Sequence, residues 1–222
     1  MAKLPAIGGI VGCTLTADIH TLSQRIMKAI YYLFSSLLLL SLFSRAQAQD
    51  KSYPNESSEQ HPFGQAHPEA PPQIKDWQAL IGECDCESIS RKQDQTWAEP
   101  VPMIWRFKYI MDGKAIQDET LKEDGAHSGS IRQYNPDSAA WYVHYYSSSA
   151  ASNRLSSWKG GKQANGDIVL YMPQKAPNGM DGFYKITFSE ISEAGFKWQG
   201  EWVSPDESFV LPTWKINCTK RQ

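Results

Sequence analysis

The chain has 222 residues, with 22 Lys and Arg against 24 Asp and Glu, so its formal net charge is -2. A charge this close to neutral argues against a basic nucleic-acid-binding protein, and no nucleic-acid partner is expected. Eight tryptophans with only 21% charged residues exclude global disorder.

The N-terminal region predicts an export signal. The apolar run from Tyr31 to Phe43 is too short for a bilayer-spanning helix, which takes about 20 residues, so no stable transmembrane anchor is expected. The run follows Lys28 and precedes Ala46-Gln47-Ala48, the small-residue pattern that a signal peptidase reads. We interpret residues 27–48 as a signal peptide and expect an exported protein, periplasmic or extracellular.

Residues 1–26 lie upstream of this signal. The simplest interpretation is that Met27 is the initiator and that residues 1–26 are a start-site extension. Two alternatives stay open, an unusually long n-region and a lipoprotein signal that ends at Cys13. Without residues 1–48 the chain has 174 residues, 18 of them basic and 23 acidic, so the net charge is -5 and all eight Trp remain.

Residues 49–76 are predicted to form a flexible linker, because they combine repeated prolines with polar residues and lack an apolar period. His61 and His67 lie in this segment, six residues apart and without a Cys or carboxylate at ligand-like spacing. A metal site is therefore not predicted.

Residues 77–222 are predicted to form an all-β domain. Apolar and polar side chains alternate at period two through about ten segments, and no long amphipathic helix is evident. A short helical turn at Asp76–Ala79 is expected to plug one end of the domain. The strand candidates are residues 80–87, 104–109, 115–123, 129–134, 140–146, 155–160, 167–172, 182–188, 195–203 and 209–219.

Short turns connect these strands. Asp112-Gly113 favours a two-residue type I′ hairpin. Further turns are marked by Asn135-Pro136-Asp137, Asn165-Gly166 and Asn178-Gly179. Short connections imply an antiparallel meander. A meander of eight to ten strands on one core commonly closes into an up-and-down barrel, since closure removes exposed edges; a sandwich is the alternative.

Four short motifs carry a resemblance to known barrels: Trp77…Leu80-Ile81-Gly82, Trp105-x-Phe107-x-Tyr109-Ile110-x-Asp112-Gly113, Arg132-x-Tyr134-x-Pro136 and Lys220-Arg221. From Trp77 to Arg221 the chain resembles a calycin-type, lipocalin-like barrel and, more narrowly, a family of exported bacterial proteins with such a domain. The resemblance implies a ligand cavity in the barrel, without a reaction or a cofactor. Lipocalins carry Gly-x-Trp on the first strand, whereas this chain has Gly82-x-Cys84, so the packing of a basic residue over that Trp is not expected.

Three cysteines follow the signal. Cys84 and Cys86 lie on the apolar face of the first strand, and Cys218 lies on the inner face of the last strand. First and last strands are neighbours in a closed meander, so a disulfide from Cys218 to Cys84 or Cys86 is predicted, and export makes it chemically plausible. The alternative is a metal or redox site, for which a Cys-x-x-Cys spacing and a nearby His are lacking.

The Asp112-Gly113 hairpin also predicts a register. It places Phe107 opposite Asp118 and Trp105 opposite Thr120, which puts Asp118 on the aromatic inner face. An unpaired buried carboxylate is expensive, and Arg132 on the next strand is the nearest candidate partner.

These residues predict a site for a small, partly apolar ligand in an aromatic-lined cavity. Two alternatives stay open: an enzyme that uses Asp118 for acid–base chemistry, and a filled structural or interaction barrel. No cofactor and no metal are expected. The candidate ligand-binding residues are Trp105, Tyr109, Asp118, Arg132, Tyr134 and Tyr145.

Three further segments leave their roles open. Both faces of residues 141–146 are aromatic, so it is undecided which face points inward and whether His144 is more than a polar partner. Trp198 and Trp202 form an inner stripe that suits either a core or a stacking surface. Ser147-Ser148-Ser149 is expected at a barrel rim.

Overall fold

The computed structural model describes residues 25, 27, 28, 30, 31, 53–149 and 151–221. The chain divides into two compact units, Met1–Ser52 and Tyr53–Gln222. The described residues of the first unit are helical, and most of the predicted signal peptide and upstream extension lies outside the described residues. Within the described part of the chain, no helix has the length and apolar character needed to cross a bilayer.

The second unit is an all-β, closed antiparallel barrel that follows a 3₁₀ helix, Pro72–Leu80. Each strand pairs with its neighbours along the chain, and β1 pairs with β10 to close the barrel. The predicted up-and-down barrel is confirmed, and the sandwich alternative is wrong. The strands are β1 Gly82–Ser90, β2 Val101–Ile110, β3 Ala115–Lys122, β4 His127–Asn135, β5 Ala140–Ser147, β6 Ser156–Lys162, β7 Ile168–Pro173, β8 Phe183–Ser192, β9 Gly195–Val203 and β10 Val210–Lys220.

The hairpin between β2 and β3 has the predicted register. Phe107 pairs with Asp118, and Trp105 pairs with Thr120. The two central residues of the connection, Asp112 and Gly113, have φ of 53° and 76°, and Met111 before them has φ of 55°. A type I′ turn requires positive φ at both positions, and glycine adopts this conformation without steric cost.

The 3₁₀ helix, which we call the plug helix, closes one end of the barrel. It is longer than the helical turn that the sequence predicts and buries Ile74, Trp77 and Leu80. The Trp77 ring packs edge-on against Trp141 and Phe188, with centroid separations of 5.8 Å and 5.0 Å. These contacts fill the adjacent half of the barrel with aromatic rings.

A disulfide between Cys86 and Cys218 joins the first and last strands across 132 residues of sequence. The two cysteines are directly opposite in the β1–β10 register. Cys84 is buried and free, and burial raises the pKa of its thiol. The structure therefore selects one of the two predicted pairings.

The last strand also holds the plug helix. Lys220 at the end of β10 donates a hydrogen bond from Nζ to the Ala79 carbonyl at 2.7 Å. A basic residue of the last strand thus binds a carbonyl in the last turn of the plug helix.

Residues 53–70, which we call the strap, pack against the β2–β3 hairpin. The Asn55 side chain is buried and donates to Asp112 Oδ1 at 3.0 Å. Backbone bonds run from Tyr109 N to Phe63 O and from His67 N to Gly113 O, at 2.8 Å and 3.1 Å. Within the part of the predicted linker that the structure describes, the strap is hydrogen-bonded to the β2–β3 hairpin, and the plug helix buries side chains at the closed end.

Candidate functional site

A cavity of about 410 Å³ occupies the half of the barrel away from the plug helix. In this meander the connections after odd-numbered strands share one end, and those after even-numbered strands share the other end with the plug helix. Exposed residues of the β3–β4 and β5–β6 connections, Ala126, Ser148 and Ser149, line the cavity. The cavity therefore opens at this end, which we call the mouth.

One wall of the cavity is aromatic and aliphatic. It is built from Met103 and Trp105 on β2 and from residues of the later strands. Trp198 lies at the centre, with its ring 6.4 Å from Trp105 and 5.3 Å from Trp214. The remaining members of this wall are Trp158, Met172, Tyr184, Ile186 and Ile216.

Three indole N–H groups of this wall are directed into the protein. Trp105 donates to Asp118, Trp158 donates to the Tyr184 carbonyl at 3.1 Å, and Trp214 donates to Ser88 Oγ at 2.9 Å. Because these polar atoms are satisfied, the ring faces remain as apolar surface for a ligand.

The opposite wall is rich in hydroxyl groups. Thr120 and Ser128 share a hydrogen bond of 2.6 Å between their side-chain oxygens. Ser130 lies deeper, is buried, and makes no side-chain hydrogen bond to the described residues. The serines nearer the mouth are Ser147, Ser148, Ser149 and Ser156.

A buried ion pair forms the floor of the cavity. Asp118 and Arg132 are each 2% exposed, and Arg132 Nη1 donates to Asp118 Oδ1. The other carboxylate oxygen accepts a 2.6 Å hydrogen bond from Trp105 Nε1. The predicted inward orientation of Asp118 and its predicted partner are thus found in the structure, and both oxygens of the carboxylate have donors.

Arg132 also separates the cavity from the filled half of the barrel. Its guanidinium carbon lies 4.6 Å from the Trp77 ring centroid, 5.1 Å from that of Phe107 and 5.7 Å from that of Phe188. The Nε atom of Arg132 is buried and has no hydrogen-bond partner among the described residues. Aromatic faces stabilise the buried cation on the side that Asp118 does not cover.

The mouth carries a cation and a histidine. Lys122 Nζ lies 5.5 Å from the Trp214 ring centroid, and no carboxylate of the described residues lies within ion-pair distance of it. His127 Nε2 is buried and has no partner among the described residues. Both side chains line the cavity.

Four of the six predicted ligand-binding residues line the cavity: Trp105, Asp118, Arg132 and Tyr145. Tyr109 and Tyr134 lie outside the lining. Both share an inner face with lining residues but lie nearer the closed end, where Tyr134 packs on Trp141 at 5.5 Å. Period-two alternation predicts which side chains of a strand point inward. It does not predict how far the cavity extends along the strand, because that depth depends on the plug helix.

The residues that the sequence left ambiguous are now placed. Trp141 and Val143 point inward, and His144 shares a 2.8 Å hydrogen bond with Ser157 Oγ as a polar partner. Trp198 lines the cavity. Trp202 does not line it, and its indole N–H donates to the Gln174 carbonyl at 3.1 Å.

The sequence-based prediction missed most of the hydroxyl wall and also Lys122 and His127. Thr120, Lys122, Ser128 and Ser130 occupy inner positions of the predicted strands, so alternation alone could have found their faces. Short polar side chains on an inner face were the available signal of an interior with an open space.

Burial raises the pKa of Tyr184, whose hydroxyl shares a 3.1 Å hydrogen bond with Thr213 Oγ1. This phenol is therefore a neutral group in the cavity wall at ordinary pH. Across the described residues, no group of three or more His, Cys, Asp or Glu side chains is arranged to hold a metal ion.

No family model and no curated protein sequence matches the chain. Among solved structures, the barrel is similar to the S-type phycobiliprotein lyase CPES of Guillardia theta, with 8% identity, a TM-score of 0.42, and coverage of 66% of this chain and 90% of that chain. It is also similar to Rv2717c of M. tuberculosis, with 9% identity, a TM-score of 0.43, and coverage of 69% of this chain and 100% of that chain. Similarity at this level carries no functional argument.

Proposed function

We propose that the protein binds a small, partly apolar ligand in the cavity of its barrel. The observation that carries this proposal is the cavity itself, about 410 Å³ with four tryptophans in its lining. Pockets for small molecules typically measure about 300 to 1,000 Å³ and combine apolar walls with a few polar groups. A filled structural barrel would not leave this space at one end.

The arrangement of Asp118 favours binding over acid–base chemistry. Its two oxygens accept hydrogen bonds from Arg132 and Trp105, so the carboxylate is held as part of the cavity floor. A general base needs an oxygen within reach of a substrate proton. The enzymatic alternative has no specific observation in its favour.

We also propose that the protein is exported to the periplasm or the extracellular space, as the resemblance to exported lipocalin-like proteins implies. The signal-like segment at residues 27–48 and the Cys86–Cys218 disulfide support this proposal, since disulfides persist in oxidising compartments. Cell fractionation with N-terminal sequencing tests it, and we expect a mature chain that begins at Gln49. A cytosolic protein with an intact N-terminus would contradict export.

A cavity-filling substitution tests ligand binding. Ser130→Phe places a ring in the space beside the floor, and we expect it to weaken binding of the fluorophore N-phenyl-1-naphthylamine about tenfold or more, which corresponds to about 1.4 kcal/mol. Gln133→Phe, on the same strand but exposed outside the barrel, is the matched control. Native mass spectrometry of protein purified from its host should show a co-purifying small molecule.

Binding that is unaffected by Ser130→Phe would place the fluorophore outside the cavity. That result, together with no co-purifying molecule, would overturn the proposed function. Circular dichroism of the variant confirms that the barrel is folded, so loss of binding is not confused with loss of structure.

A further inference from the structure

The two walls of the cavity differ in chemistry. The wall formed by β2 and the later strands presents Trp105, Trp198 and Trp214, and the wall formed by β3, β4 and β5 presents Thr120 and several serine hydroxyls. A ligand that fits both walls has one apolar face and one edge with hydrogen-bonding groups. This division disfavours an evenly apolar ligand, since the free hydroxyl of Ser130 would then stay unpaired.

The charges in the cavity lining do not cancel. Asp118 and Arg132 neutralise each other at the floor, and Lys122 is the remaining charged residue of the lining. Lys122 is half-buried, and no carboxylate of the described residues neutralises it. The charged side chains that line the cavity therefore sum to a net positive charge, which Lys122 carries.

The position of Lys122 fixes where an anionic group would sit. Asp118, Thr120 and Lys122 follow each other on the inner face of β3 at alternate positions, from floor to mouth. At about 3.3 Å per residue, Lys122 lies about 13 Å from Asp118 along the strand. His127 also lines the cavity at this end, with its Nε2 buried and without a partner among the described residues.

We propose that the ligand is an amphipathic organic anion, which rests on the proposed function. Its flat, largely apolar body lies against the tryptophan wall, and its hydroxyl or carbonyl edge faces Ser130 and Thr120. Its carboxylate, sulfonate or phosphate group lies at the mouth beside Lys122. Hydrogen bonds to a charged group are stronger than those between neutral groups, so the negative group should contribute about tenfold or more to affinity.

Two fluorophores with the same arylamine body test the charge preference. 1-Anilinonaphthalene-8-sulfonate carries a negative group, and N-phenyl-1-naphthylamine lacks it. We expect the protein to bind the sulfonate about tenfold more tightly at low salt, and we expect this ratio to fall as salt screens the charge.

Lys122→Met should reduce the ratio of the two affinities to near one. Lys122→Arg should retain the preference. Lys108→Met, which removes an outward-facing lysine of β2, is the matched control and should not change the ratio.

The two proposals fail in different ways. Equal affinities for both fluorophores in the unaltered protein, or a preference that survives Lys122→Met, would overturn the anionic ligand and leave the binding function intact. Failure of both fluorophores to bind, with no co-purifying molecule, would overturn both proposals.

Discussion

The guanidinium of Arg132 lies 4.6 Å from the ring centroid of Trp77, so the floor of the cavity rests directly on the plug helix. On its other side Arg132 pairs with the buried carboxylate of Asp118. One side chain thus links the aromatic, filled half of the barrel to the cavity. Stability of the closed end and the shape of the candidate site are therefore coupled.

Arg132→Met should destabilise the protein by about 3 to 5 kcal/mol, because it leaves Asp118 buried without its cation. Urea unfolding followed by tryptophan fluorescence measures the change. Arg106→Met is the control, since Arg106 forms a partly exposed pair with Glu83 and should contribute only about 0.2 to 1 kcal/mol. If Arg132→Met costs no more than Arg106→Met, the ion pair does not support the floor.

Loss of the Cys86–Cys218 disulfide should lower the free energy of unfolding by about 2 to 5 kcal/mol, since the bond closes a loop of 132 residues in the unfolded chain. Chemical unfolding with and without reductant measures this. Cys84→Ala should keep the full effect of the reductant, because Cys84 is free. A non-reduced digest that links Cys84 to Cys218 would contradict the pairing.

Asn55→Ala should release the strap from the β2–β3 hairpin. The substitution removes the side-chain hydrogen bond to Asp112 Oδ1 at a buried position and should cost about 1 kcal/mol or more. Limited proteolysis should then cut faster within residues 53–70, since local opening exposes the backbone. Glu59→Ala, at an exposed position of the strap, is the control. Equal cleavage rates in all three proteins would argue for a segment that is not held on the barrel.

The ionisation of Glu83 should make the stability of the protein depend on pH. The hydrogen bond from Arg106 lowers the pKa of Glu83 below its ordinary value of 4.5. Burial acts in the opposite direction, and a further hydrogen bond from Arg221 adds to the lowering. A group with a lowered pKa in the folded state stabilises the protein above the pKa of the unfolded chain. This contribution is lost as the pH falls through the lower, folded-state pKa.

Glu83→Gln should therefore cost less than about 1 kcal/mol at pH 7, since the pair is partly exposed and screened. The difference from the unaltered protein should disappear as the pH falls well below 4.5. Urea unfolding at pH 7 and at acidic pH provides the measurement. Glu87→Gln, an exposed position four residues further along β1, is the control. A difference that is the same at every pH would rule out this linkage.

Local sequence patterns determined much of the barrel. Period-two alternation fixed which side chains of β1 to β4 face inward, and Asp112-Gly113 fixed the β2–β3 register because a two-residue turn leaves no freedom in the pairing. These two patterns placed Asp118 inside and made Arg132 its candidate partner. Closure followed from the number of strands and the short connections between them.

Only the tertiary structure decided the depth of the cavity, the choice of Cys86 over Cys84, and the position of the strap. Alternation repeats along the whole strand, so it cannot distinguish Trp105 in the cavity wall from Tyr109 at the closed end. That difference arises from contacts across the barrel, such as Trp77 against Arg132, between residues far apart in sequence. Residues 53–70 are held in place by hydrogen bonds to the β2–β3 hairpin and not by a buried face of their own. Their sequence therefore shows no apolar period.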